Sequence, residues 1–177
     1  MRQLAATAAC VLVVVLALWA MRRGWRRRAA ATAPLVAHLP QRPTELGARR
    51  GEPVEATYVS TTRAGDWLDR VAAADLGVRS PASVEVYDAG VQIRRTGAQD
   101  VFIPATALRS ASTAPGIAGK VVAGDGLVVL TWQADADDAR GLDTGLRPRH
   151  AADRPRLVAA VTDLITTTPG TAGAQES

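Results

Sequence analysis

The residues most suggestive of chemistry are Gly116-Ile117-Ala118-Gly119-Lys120, where the chain's single lysine follows two glycines. A phosphate loop needs G-x-x-x-x-G-K-[ST], so that backbone N–H groups ring the phosphates and a hydroxyl holds Mg²⁺. Here two residues separate the glycines, and Val121 stands where the hydroxyl belongs. Nucleotide hydrolysis is not expected. Two readings remain: a loop whose glycines allow positive φ or close backbone approach, or a weak anion-binding nest charged by Lys120.

Asp135, Asp137, Asp138 and Asp143 resemble a calcium loop in composition alone. An EF-hand requires D-x-[DN]-x-[DN]-G with a glutamate at its twelfth position, and Ala139-Arg140 breaks that register. His38 and His150 are paired neither with each other, nor with Cys10, nor with an acid at ligand spacing, so no zinc site or catalytic base is expected. Ser60, Ser80, Ser83, Ser110 and Ser112 lie outside any nucleophile elbow. The expectation is a protein that is not an enzyme, with no catalytic residue, cofactor or metal.

The elements that would carry a function begin with Leu4–Met21, 18 uncharged residues closed by Arg22, Arg23, Arg26, Arg27 and Arg28. As a helix the stretch covers ~27 Å, close to one hydrocarbon core. Five arginines on the C-terminal flank against Arg2 on the other predict that this flank stays in the cytoplasm and the N-terminus lies outside. Trp19 and Trp25 bracket the boundary, where an indole prefers to sit. A cleaved signal peptide would carry its charge before the apolar stretch, and a soluble buried helix is the other competing reading. Cys10 is no lipoprotein cysteine, because the longest apolar run follows it; as the sole cysteine it excludes an intrachain disulfide.

The net charge of +4 suggests an anionic partner until the chain is divided. Residues 1–28 hold six arginines and no acid, leaving 15 cations against 17 acids in the rest. The excess positive charge therefore sits beside the membrane, placed for anionic lipid headgroups at roughly 1 kcal/mol per residue. Nucleic-acid binding by the remainder has no electrostatic support. Residues 22–53 read as a basic flank and linker, with Pro34, Pro40, Pro43 and Pro53 arguing against a helix or packed unit from Ala29 on. Leu35, Val36 and Leu39 could lie against membrane or domain. Residues 167–177 read as a disordered tail.

Between them, 54–166 is large enough for one small domain. Val54–Thr61 is β-rich, with Val54, Ala56, Tyr58 and Ser60 on one face. Ser83–Tyr87 and Val91–Arg95 flank Asp88-Ala89-Gly90, a hairpin signal; Gln92 and Arg94 give the second strand a wet face. Val101–Pro104 ends in a proline that marks an edge, and Leu127–Gln133 is apolar enough to be central. Gly141–Leu146 is the last strand. Gly65–Leu76 stays open: Trp67, Leu68 and Val71 would suit a short helix or a strand extension. The period then changes: Leu157, Val158, Val161, Leu164 and Ile165 form a helical stripe after Asp153 and Pro155, closed by Pro169-Gly170. The fold class is mainly β with one C-terminal helix, a barrel or sandwich capped by that helix and preceded by one transmembrane helix.

This order, with "RAGDWLDRV", "DVFIP", "GIAGKVV" and "LDTG", resembles the bacterial PH-like domain, and more narrowly the single-pass actinobacterial membrane proteins that carry one. The resemblance spans about residues 54–166 plus the anchor and implies a PH-like barrel. It implies a loosely defined membrane, export or transport role. In eukaryotic PH domains the first hairpin loop often binds inositol phosphates through basic residues. The matching Thr61–Pro81 balances Arg63, Arg70 and Arg79 with Asp66, Asp69 and Asp75, so headgroup recognition there is not implied. The expectation is a membrane-tethered cytoplasmic module that recruits an unknown protein partner, with an accessory subunit of an export or transport system as the alternative. Gly116, Gly119 and Lys120 are the candidate partner or anion loop.

Overall fold

The computed structural model describes residues 2–36, 39–117, 120–121, 126–135 and 137–168; for 2–9, 25, 28, 29, 35, 120 and 121 it describes the backbone alone. His38, Gly119, the Lys120 side chain, Pro169-Gly170 and most of the tail thus lie outside the described residues.

Helix α1 (Arg2–Thr32) runs past Met21 and ends only before Pro34, which cannot continue it. Among the described residues no helix is long and apolar enough to cross a membrane. One 3₁₀ turn, Ala33–Val36, follows. The proline-rich stretch then lies along the domain instead of apart from it. Leu46 O accepts from Ala89 N at 2.9 Å, Ala48 O from Asp88 N at 3.1 Å, and Arg50 N donates to Val86 O at 2.8 Å, while Val36 and Leu46 are buried. Prolines forbid a helix here, yet an extended chain can still satisfy its backbone against a neighbouring strand.

Seven strands form one antiparallel sheet, in the order β4-β3-β2-β1-β9-β8-β5. They are β1 (Val54–Arg63), β2 (Ser80–Tyr87), β3 (Gly90–Arg95), β4 (Val101–Pro104), β5 (Leu108–Ala114), β8 (Leu127–Trp132) and β9 (Leu142–Pro148). The short β6 (Gly116–Ile117) and β7 (Lys120–Val121) pair with each other. Helix α2 (Asp153–Thr167) closes the inner face through Leu157, Val161 and Leu164, packing on β5 and β8. β4 is an edge and β8 is interior, as Pro104 and the apolar run of β8 suggest. In the β2–β3 turn Gly90 has φ +152°, and a Cβ there would stand 2.2 Å from Ile103 O. No other residue fits so close to a strand backbone.

Three local expectations need correction. A bulge between Tyr58 and Ser60 breaks the alternation of β1: Tyr58 and Thr61 both face inward, whereas Val59 joins Ile117 and Leu127 in a separate outer cluster. Ser60 therefore does not share the face of Tyr58. The expected wet face of β3 is half covered, because Gln92 is buried where Val36 and residues 39–42 lie beside β3 and β4, and only Arg94 is exposed. Gly65–Leu76 is neither helix nor strand extension: turns lead to a bridge between Thr62 and Arg70 and then a single 3₁₀ turn, Ala73–Asp75.

Candidate binding surface

A buried chain of hydrogen bonds ties the inner ends of β1, β8 and β9 together. Trp132 Nε1 donates to Thr144 Oγ1 at 2.9 Å, and Thr144 and Thr61 hydroxyls meet at 2.8 Å. Thr61 meets Tyr58 OH at 2.5 Å, and Tyr58 donates to Leu76 O at 3.1 Å. An indole N–H only donates and a carbonyl only accepts, so every proton must point from Trp132 toward Leu76. Burial pushes the Tyr58 phenol up to about 12, holding it neutral as a donor. The guanidinium of Arg95 lies 3.9 Å from the Tyr58 ring centre and donates to Ser80 Oγ and to the carbonyls of Asp75, Val78 and Gln99. Burial draws the Arg95 pKa below its ordinary value. These groups are scaffold: their polar atoms are spent on one another.

The β1–β2 loop is built on that scaffold. Arg63 makes a bidentate ion pair with Asp138, one contact at 2.8 Å. This pair holds the Asp138 carboxyl below the usual carboxylate range. Gly65, at φ +75°, turns its N–H to Asp143 Oδ2 at 3.0 Å, and Thr131 Oγ1 donates to the other oxygen at 2.7 Å. Asp66 Oδ1 accepts from Leu68 N at 3.0 Å and Asp69 N at 3.3 Å, which lowers its own pKa. Arg140 Nε reaches Ala64 O at 3.0 Å and Arg140 Nη2 lies 3.6 Å from Asp66. The turn so made carries Trp67 and Leu68 at its tip, 48 % and 81 % exposed. The sequence left this stretch open between a short helix and a strand extension; Asp66, accepting from two following backbone N–H groups, was the signal for a side-chain-stabilised turn.

The aspartates singled out for calcium are thus dispersed among these tasks. Asp135 Oδ1 accepts from Asp137 N at 3.1 Å, Asp138 pairs with Arg63, and Asp143 holds the loop. Among the described residues no group of three His, Cys, Asp or Glu is placed to hold a metal. Gly116 and Ile117 are buried, and Ile117 Cγ2 would be 2.6 Å from a Cβ on Gly145, so β6 folds over the outer sheet face through the glycine of "LDTG".

On α1, Arg22, Arg23, Arg26 and Arg27 recur at i, i+1, i+4 and i+5, which puts them on one side of the helix. They line a groove of about 320 Å³ with Trp19 and Ala30, and Arg23 stands 5.5 Å from the Trp19 ring centre. Arg28 belongs to the same run, but its side chain is outside the described residues. The helix is tied to the domain at its other end: Thr32 Oγ1 accepts from Ala72 N at 3.2 Å and Ala73 N at 3.0 Å.

A seven-stranded antiparallel sheet closed by a C-terminal helix is the arrangement of a PH-like fold, and a family model described as "Bacterial PH domain-like" matches residues 36–162. The chain belongs to that family. The match begins at Val36, inside the stretch that runs along the sheet, which fits the buried Val36 and Leu46. No curated protein matches the chain. Among solved structures, a chain of "The 8S snRNP Assembly Intermediate" is 11 % identical with a TM-score of 0.47, covering 78 % of this chain and 97 % of that one. A chain of Vav1 "inhibited by an allosteric inhibitor" is 10 % identical with a TM-score of 0.44, covering 82 % of this chain and 34 % of that one. No role of either protein passes to this PH-like chain.

Proposed function

We propose that the chain is a membrane-tethered module whose PH-like domain recruits a protein partner at the cytoplasmic face. The carrying observation is the helix α1. Val11, Leu12, Val13, Val14, Val15 and Leu16 are consecutive, and each is 53–64 % exposed. Six consecutive helical positions at 100° steps face every direction around the axis, so no single packed neighbour can cover them. A bilayer covers all directions at once. Leu4–Met21 then crosses it, Trp19 and Trp25 sit at the boundary, and Arg22, Arg23, Arg26, Arg27 and Arg28 contact anionic headgroups. The arginine asymmetry favours the N-terminus outside and the domain inside.

Confinement raises the effective concentration of a weakly held partner without new contacts. The domain offers β4 as an unpaired edge for an added strand, and the β6–β7 hairpin, with Gly116, Gly119 and Lys120, as a second contact. Two experiments test the reading. A reporter active only in the cytoplasm is expected to work after Ser177 and to fail before Met1; the reverse pair of outcomes refutes the placement. In detergent extracts, Lys120→Glu is expected to lower partner recovery at unchanged membrane insertion. Recovery that survives both Lys120→Glu and Gly119→Val moves the partner surface elsewhere.

A further inference from the structure

Outside α1, Trp67 and Leu68 are the large apolar side chains left exposed among the described residues, and both sit on one turn. The rest of "RAGDWLDRV" is committed to the fold: Arg63, Gly65 and Asp66 make the turn, and Val71 is fully buried. A tip built by so many hydrogen bonds, ending in two solvent-facing apolar groups, is a rigid presentation of those groups. It is also joined to the helix, since Thr32 bonds to Ala72 and Ala73, the fourth and fifth residues after Leu68.

We infer that the Trp67–Leu68 tip rests in the bilayer interface beside α1 and fixes how the PH-like domain sits on the membrane. The inference rests on the membrane-tethered reading. Thr32 follows Met21 by 11 residues, ~16 Å of helix, and its hydrogen bonds to Ala72 and Ala73 hold the base of the same loop against the end of α1. The tip thus belongs to the part of the domain that is fastened beside the helix. An indole beside an aliphatic residue is the chemistry that settles in the bilayer interface. Charge does not oppose it. Asp66 lies against Arg140, and residues 63–70 carry two arginines against two aspartates. Contact at the tip thus needs apolar lipid rather than anionic lipid, which separates it from the arginine flank.

The test uses the full chain with Cys10→Ser, which removes the one native thiol, and Leu68→Cys carrying an environment-sensitive fluorophore. A companion variant carries the fluorophore at Ser112→Cys, exposed on β5. Both are reconstituted in phosphatidylcholine vesicles, with and without phosphatidylglycerol, and separated by flotation. The inference expects blue-shifted emission at position 68, loss of intensity when a nitroxide is placed near the lipid headgroup, and neither change at 112. The response at 68 is expected to be the same in both lipid mixtures. Floating protein whose two positions emit alike overturns the inference and leaves the tether intact. A blue shift that lipid-borne nitroxide does not quench assigns the tip to protein contact and overturns it too. A chain that fails to float refutes the tethered reading, and this inference with it.

Discussion

Replacing Thr144 by valine should cost more than replacing it by serine, although valine keeps the volume and serine does not. Thr144 is fully buried and is the acceptor that Trp132 Nε1 uses, while its own hydroxyl feeds Thr61. Valine leaves the indole N–H without an acceptor in the core, at about 1–3 kcal/mol. Serine keeps both hydrogen bonds and loses one methyl, about 0.8 kcal/mol. Expected stabilities therefore rank Thr144 first, Ser second and Val third, with valine about 2 kcal/mol below the native residue. Urea unfolding of a fragment beginning at Ala31, followed by near-ultraviolet circular dichroism, reads the difference. With a slope of about 2 kcal/mol/M, valine moves the midpoint down by about 1 M. Thr106→Val, on the exposed turn after β4, should leave it in place. A valine variant as stable as the serine variant, or more so, would show that shape rather than the hydrogen-bond chain holds these strands.

The same fragment reports on two further features. Gly145→Ala should destabilise it, because the new Cβ meets Ile117 Cγ2 at 2.6 Å; adding Ile117→Ala should recover part of the loss, and strictly additive losses would mean that β6 does not sit on Gly145. Arg63 holds Asp138 below the usual carboxylate range, so the folded state binds fewer protons there than the unfolded chain does. The contribution is complete above the unfolded aspartate pKa, about 3.9, and falls away as pH drops toward the lowered folded value. Asp138→Asn should flatten the acid limb of a stability–pH profile, and an unchanged limb would locate the acid sensitivity in other carboxylates.

What could be read from the sequence, and what could not, divides along physical lines. The β2–β3 hairpin and α2 were legible because their signals are local: a two-residue turn, Asp88-Ala89, followed by Gly90, and a stripe that buries Leu157, Val161 and Leu164. Alternation, by contrast, says which residues share a face and nothing about what a distant segment lays over that face. Gln92 looked wet from its alternation with Val91 and Ile93, yet Val36 and residues 39–42, some fifty positions upstream, lie beside it in the fold and it is buried. Its Oε1, with Ser60 Oγ and Thr62 Oγ1, is buried without a hydrogen-bond partner among the described residues. The Val59 bulge was equally hidden, since one extra residue in a strand leaves no mark in composition. Thr61 and Thr144 are 83 positions apart, so their hydrogen bond had no short-range signature at all. At the candidate surface, the arginine flank was readable as charge, whereas the form of the segment around Trp67 stayed open because its apolar spacing suits a short helix and a strand equally. The Asp66 turn decided its exposure.

The segments that carry the family resemblance also carry the fold, which bears on where function can lie. In "LDTG", Leu142 packs in the core, Asp143 clamps the β1–β2 loop, Thr144 accepts from Trp132 and donates to Thr61 in the buried chain, and Gly145 makes room for Ile117. In "DVFIP", Val101 and Ile103 are core and Pro104 ends the edge strand. Residues so occupied have no free polar or apolar group to offer a ligand, so these segments serve the architecture. Recognition must then fall to side chains that the scaffold displays without using. Among the described residues those include the arginines and apolar belt of α1, the edge of β4 and the Trp67–Leu68 tip. Two of the three face the same problem, which is how a small domain at the end of one helix keeps a constant orientation. On the membrane-tethered reading, a span alone would leave the domain free to swivel; a second apolar contact close to it would restrict that freedom and leave β4 facing a fixed direction.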